Sequence, residues 1–580
     1  MRLILSHYLR TLRERDEFDR LLPELLVAMG YVPLSKPQAG IRQFGVDFAA
    51  VGHSPDDGIK EILLFVIKQG NIGRREWSAS EPADLRPSLD EVLDVFVSSH
   101  IPNEYVLLRR VVVVATTGEL KQELLPNWTG YVEKNRDKAS FHFWHGDKVA
   151  ELLEKYLLDE TLFASDDRQD LRKALALCGD RDYKFGDYLN VLRRQLGLQE
   201  DGSVIASPSN QTQMLKAMRR VNLAAQVCSH WARNEGDIKQ ALWVIERGLL
   251  WSWHRIQFYE SDDRKVFFSA LADMWQAYLQ VSREYFEKMQ KHFSVRDGMS
   301  GYCRENAEYT LVLFEHIGLV ATVGLCQAFR PAISDEDEKQ KERNALIIAD
   351  ALVVLLNNHD ATASPRLDRH IVEINLALTL LVVTKRYKQL DAWLNDLAHR
   401  LNFNFLRKRA FPISTDSTDD LIDLEVFGDA DTAEKLMSTS WTLPTIATWC
   451  SLRGLSEQYQ VLSNGSNTDY SNVCGQLWHP TQDWSSSWYY ENAQFSTGDA
   501  EAPFHLPENS ELLNQRVKDF MQLERYDWVK NSQTLAIGLW ALDFVACRHF
   551  KNPMPASFWY KVIEISAADS SSVTCEVTSS

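Results

Sequence analysis

Several familiar chemical signatures are missing from this 580-residue chain, and each absence removes a class of function. No H-E-x-x-H helix, Gly-rich phosphate loop or serine-nucleophile motif occurs, so zinc peptidase, P-loop and serine-hydrolase chemistry are not indicated. The eight cysteines (178, 228, 303, 326, 450, 474, 547 and 575) include no C-x-x-C pair, which leaves neither a zinc cluster nor a disulfide framework. Basic charge is in deficit. Lys and Arg number 63 against 80 Asp and Glu, a net charge of -17, which argues against a broad non-specific nucleic-acid platform. The apolar stretch at the N-terminus is too short for a signal peptide. No uninterrupted span of about 20 apolar residues occurs either. Tyr309 to Phe329 is broken by Glu315, His316 and Gln327, and Leu346 to Leu356 contains Asp350. Reduced thiols, no membrane and the cytoplasm are therefore expected.

What is present begins with Phe18 to Lys68. Phe18, Leu21, Leu22, Leu25, Leu26 and Met29 recur at helical spacing and Gly30 stops the pattern. Gly45 to Val51 alternates, with Val46, Phe48 and Ala50 on one face, and Glu61 to Lys68 reads as a buried apolar strand. Asp57-Gly58 suits the turn between them. Asp47 and Lys68 thus become polar end-groups of adjacent antiparallel strands.

This succession of helix, polar loop, Gly45-Val46-Asp47 and apolar strand ending in Lys68 resembles the PD-(D/E)xK restriction-endonuclease-like superfamily, especially its Mrr-type members. The resemblance covers about the first 160 residues. It implies that Asp47 and a second acid two residues before Lys68 hold Mg²⁺, while Lys68 positions or activates the attacking water. In this chain Val66 takes the second acid's place. Glu61 cannot substitute: it lies an odd number of residues from Lys68 and, at about 3.3 Å per residue, roughly 23 Å away. Glu17 or Glu24, on the first helix, could supply the missing ligand, since some family members carry a metal-binding Glu there. The alternatives are a relic without activity, or a turn aspartate and a snorkelling strand-end lysine with no site at all.

The rest of the first 165 residues predicts a small mixed sheet flanked by helices. Ser88 and Glu91 suit a capping box, Val111 to Ala115 a buried strand, residues 121–133 a helix, Phe141 to Trp144 a strand, and Asp147 the cap of a last helix. His142 and His145 face opposite sides and read as structural. Arg74, Arg75, Arg109 and Arg110 could form a local basic patch, or stand as solvated arginines.

A connector follows over 166–213, its linker near 197–212, and residues 214–566 predict a large all-α domain whose helix pairs suit an irregular solenoid, before a disordered tail at 567–580. Stacked helix pairs of this kind usually bind another protein. Two stretches, 403–430 and 457–510, are rich in Ser, Asp, Asn, Thr and Gly, and the second reads as a loop. The second carries Trp478, Trp484, Trp488, Tyr489 and Tyr490, which either stack on bases or pin the loop to the helical body. The layout resembles prokaryotic defence proteins that join a nuclease-type effector to a helical sensor. It implies a nuclease-like antiphage component acting on DNA, or an inactive scaffold that binds a partner protein through the helical domain. Self-association stays open.

Overall fold

The computed structural model describes residues 5, 9–10, 12, 18–34, 44–77, 84–156, 165–177, 180, 183–205, 210–303, 306–329, 338–407, 411–428, 430–481, 484, 488–490, 498–523, 532–560 and 562–563. It divides into two units: residues 1–197 with 208–237, and residues 198–207 with 238–580.

In the first unit, helix α1 (Asp19–Ala28) turns its leucines inward and is followed by β1 (Val32–Pro33), β2 (Phe48–His53) and β3 (Lys60–Lys68). Helix α2 (Leu85–Glu91) leads to β4 (Arg109–Thr116), and α3 (Leu125–Asn135) leads to β5 (Ser140–Trp144) and α4 (Gly146–Tyr156). The sheet keeps sequence order, β1-β2-β3-β4-β5. The first three strands are antiparallel and β4 and β5 are parallel to β3. This mixed sheet has helices in every connection after β3, as alternating periodicities predict.

One face of the sheet buries Leu64, Val66, Val112 and Val114 against Leu85, Leu89 and Val92. Phe48 and Phe65 stack at 4.5 Å away from that cluster, and Trp144 meets Phe65 edge-on. Val46 belongs to the first cluster with Ala49 and Val51, so the expected single face of Val46, Phe48 and Ala50 does not form. The regular strand begins only at Phe48.

Two caps differ from expectation. Helix α2 starts three residues before Ser88, whose hydroxyl donates back to Asp84 O at 2.9 Å, so no capping box with Glu91 exists. Asp147 lies inside α4, and the cap is His145, whose Nδ1 accepts from Lys148 N at 3.3 Å. Helices α5 (Ser165–Leu177), α6 (Gly186–Leu196) and α7 (Gln211–Asn234) complete the unit. Arg194 of α6 holds Asp167 and Asp170 of α5.

The second unit is helical: α8 (Ile238–Ile256), α9 (Phe268–Phe293), α10 (Asn306–Ala328), α11 (Glu338–Asn358), α12 (Ile371–Val383) and α13 (Tyr387–Leu406). Residues Glu308–Ala328 of α10 are long and apolar enough to cross a membrane, yet 78% of the stretch is buried within the protein. Helix α12 is buried from Ile371 to Val382, which makes these two helices the unit's centre. Their approach depends on Gly324: a Cβ there would stand 2.5 Å from Leu380.

The polar stretch 403–430 contains a helix. Helix α14 (Thr418–Phe427) forms there, its N-terminus capped by Ser417 accepting from Asp420 N at 3.1 Å. After α15 (Thr442–Leu452), the start of the presumed loop at 457–510 is also a helix, α16 (Ser456–Asn467). A short antiparallel pair, β6 (Leu477–Pro480) and β7 (Gly498–Glu501), precedes α17 (Ser510–Met521) and α18 (Ala541–Phe550). Trp484, Trp488, Tyr489 and Tyr490 are buried, with Tyr490 stacked on Trp251 at 4.6 Å. These rings pin the segment to the helical body. The tail 567–580 lies outside the described residues.

Candidate functional site at the rim of the small sheet

Gly45 sets the geometry. Its φ of 77° suits glycine, and a Cβ would fall 2.3 Å from Ser88 O, so the chain enters β2 pressed against α2. Two residues on, Asp47 N donates to Phe65 O at 2.8 Å, and Asp47 Oδ2 accepts from Ile67 N at 2.6 Å. The carboxylate thereby replaces a main-chain carbonyl in the ladder, bridging past Val66 to the residue before Lys68. Lys68 Nζ approaches Ser88 Oγ at 3.5 Å. Asp47 and Lys68 are therefore held at the same end of β2 and β3.

The other candidate ligands are placed differently. Val66 is 1% exposed and packed in the apolar cluster, where it has no donor atom to offer. Glu24 is buried on α1, and its Oε1 accepts from Asn222 of α7 at 3.1 Å. Glu17 lies outside the described residues. Among the described residues no group of three or more His, Cys, Asp or Glu could hold a metal ion. Mg²⁺ prefers several hard oxygen donors, and Asp47 alone does not fit it.

The loop after Lys68 is tied to the end of β4. Gly70 N donates to Thr117 Oγ1 at 3.0 Å, and Ile72 exchanges main-chain bonds with Glu119 and Lys121 at 2.9 and 3.0 Å. Arg74 and Arg75 open the short helix Arg74–Trp77 that follows this loop. Arg109 is at the opposite end of the sheet, paired in register with Glu61, so the four arginines do not make one patch.

At that far end lies a polar cluster that motif matching passed over. Glu61 is 4% exposed and accepts from Tyr31 Oη and Arg109 Nε, both at 2.7 Å, while Arg109 also holds Asp57. The Arg109 guanidinium draws the Asp57 carboxyl down to about 2, aided by its bond from Ile59 N. This arrangement ties the β2–β3 turn to the sheet. Its sequence signal was an acid opening an otherwise apolar strand.

The described cysteines 228, 303, 326, 450, 474 and 547 are free thiols, and burial pushes Cys450 up to about 12. Comparison with family models, curated proteins and solved structures yields no match to this chain.

Proposed function

We propose that the first unit is a PD-(D/E)xK restriction-endonuclease-like domain that no longer cleaves. In this proposal the protein is a cytoplasmic component of a prokaryotic antiphage system. The rim at Asp47 and Lys68 binds a DNA end or a protein, and the helical unit engages a partner protein. The order of a helix, three antiparallel strands, a helix and a parallel strand, with Asp47 and Lys68 at one rim, supports the kinship. One observation carries the loss of cleavage. The carboxylate of Asp47 is engaged by Ile67 N across a buried Val66, where the family's second acid would stand.

The test is hydrolysis of supercoiled and linear DNA by the full chain with Mg²⁺ or Mn²⁺. The wild type, Asp47→Ala and Lys68→Ala should all remain at background. Cleavage by the wild type that both substitutions abolish would restore the metal-dependent nuclease, with Glu17 as the next residue to replace. Phage plating on expressing cells supplies any activating partner. Wild type and Lys68→Ala should reduce plating equally. A wild type that leaves plating unchanged removes the defence assignment.

A further inference from the structure

Helix α14 (Thr418–Phe427) is apolar on two sides. On the inner side Leu421 is wholly buried, and the ion pair of Glu425 with Arg366 fixes the helix to the body of the second unit. Asp420 Oδ2 also accepts from Thr415 Oγ1 at 2.9 Å. The other side faces outward. Phe427 is 80% exposed and Val426 59%, and half-buried Ile422 lies four residues before Val426, one turn back on the same face. Solitary apolar residues are ordinary on a surface, but adjoining ones with a polar rim mark a contact site. A helix apolar on both sides packs on both sides, and the described residues cover only the inner one.

The charge around this apolar pair is of one sign. Residues 416–434 hold eight Asp and Glu and no Lys or Arg. Asp416 is bound by Arg369 at 3.0 Å, and Asp419 sits in the first turn, where the helix dipole favours an acid. Asp423, Asp431 and Glu434 are exposed and form no ion pair among the described residues. Asp423 stands one turn before Phe427, and Asp431 and Glu434 belong to the short helix Ala430–Leu436 that follows. Phe427 therefore has acids on both sides of it along the chain. An apolar centre with a polar rim is the build of a protein interface. Its charge also selects the occupant: nucleic acid and anionic membranes are repelled, and so is a second copy presenting the same acids.

We infer that the outer face of α14 packs against a basic amphipathic helix of a partner protein. Phe427 and Val426 anchor its apolar stripe, and its flanking Lys and Arg reach Asp423, Asp431 and Glu434. This assignment rests on the reading that the helical unit engages a partner protein, and gives that partner a surface and a chemistry.

The experiment selects binders to the full chain from a phage-displayed library of random peptides of about 16 residues, long enough for four helical turns. Enriched peptides should combine Lys or Arg with apolar residues at helical spacing, and their affinity should fall as salt is raised from about 50 to about 300 mM. Phe427→Ser, a change at an exposed position, should weaken them by about tenfold or more. Val266→Ser, at a 45% exposed valine elsewhere in the unit, should leave them unchanged. Zero-length carboxyl–amine cross-linking should join peptide lysines to Asp423, Asp431 or Glu434. Enriched peptides without basic residues, or equal binding to the wild type and Phe427→Ser, overturn the inference. Cross-links to carboxylates elsewhere in the second unit overturn it too, while leaving the partner reading intact. No enrichment at all, or cross-links confined to the first unit, counts against both. A wild type that dimerises in sedimentation velocity, with a monomeric Phe427→Ser variant, makes a second copy the occupant and overturns the basic helix.

Discussion

Asp47 shows why a motif residue must be judged by its partners. An unmatched Ile67 N–H inside the sheet would cost about 1–3 kcal/mol, so the Asp47 side chain has structural work whatever else it does. Asp47→Ala should therefore lower stability by about that amount, while Asp47→Asn, which keeps an acceptor, should lose less, as read by urea unfolding. A catalytic aspartate without this bond would not separate the two substitutions in stability. Val66→Glu, which puts an acid two residues before Lys68, places a charge in a site 1% exposed and should cost about 3 kcal/mol or more without creating metal-dependent cleavage. The adjacency of Asp47 and Lys68 was legible because strand alternation and a turn fix where two strands end. The use of Glu24 was not, because its partner Asn222 stands 198 residues away.

Among elements, α18 carries the most unusual load: Asp543, Arg548 and His549 all point into the second unit's interior. Arg247 Nε donates to His549 Nε2 at 2.8 Å, which leaves Nδ1–H to donate to Glu246 at 2.9 Å and keeps the ring neutral. Burial, with Arg247 nearby, lowers His549 to about 3, and although burial pushes Glu246 upward, Arg548 and His549 hold it low. A depressed histidine contributes stability above its unfolded value of about 6.5 that is lost as pH falls toward 3. Asp543 acts with the opposite sign. Raised to about 7 from 3.8, it contributes stability at low pH that is lost as pH rises through 7. Melting temperature measured from pH 5 to 8 should therefore fall less in Asp543→Asn than in the wild type. Long apolar helices such as α10 could be read directly from the sequence. Helix α16 was hidden by its Ser, Asn and Gly content and forms because Tyr459 and Leu462 are buried. Helix α14 had a usable signal in Ser417 and the acids after it, which polar composition obscured.

At the scale of the molecule, the sheet's own unit extends through Asp237, and α5, α6 and α7 belong to it. A chain of residues 1–237 should melt cooperatively with native-like circular dichroism. One of residues 1–165 should not, because it leaves buried Glu24 without Asn222. Between two portions of that unit the chain contributes Leu198–Ser207 to the other. Gln199 O there accepts from Tyr490 Oη at 2.8 Å, a partner 291 residues downstream. A ribosome adding about 5–20 residues per second would take roughly 15–60 s to deliver that tyrosine. During translation this short insert must wait, its docking ring not yet made, while the segments on either side of it already have each other; the order of emergence from the ribosome thus makes the second unit the last to close.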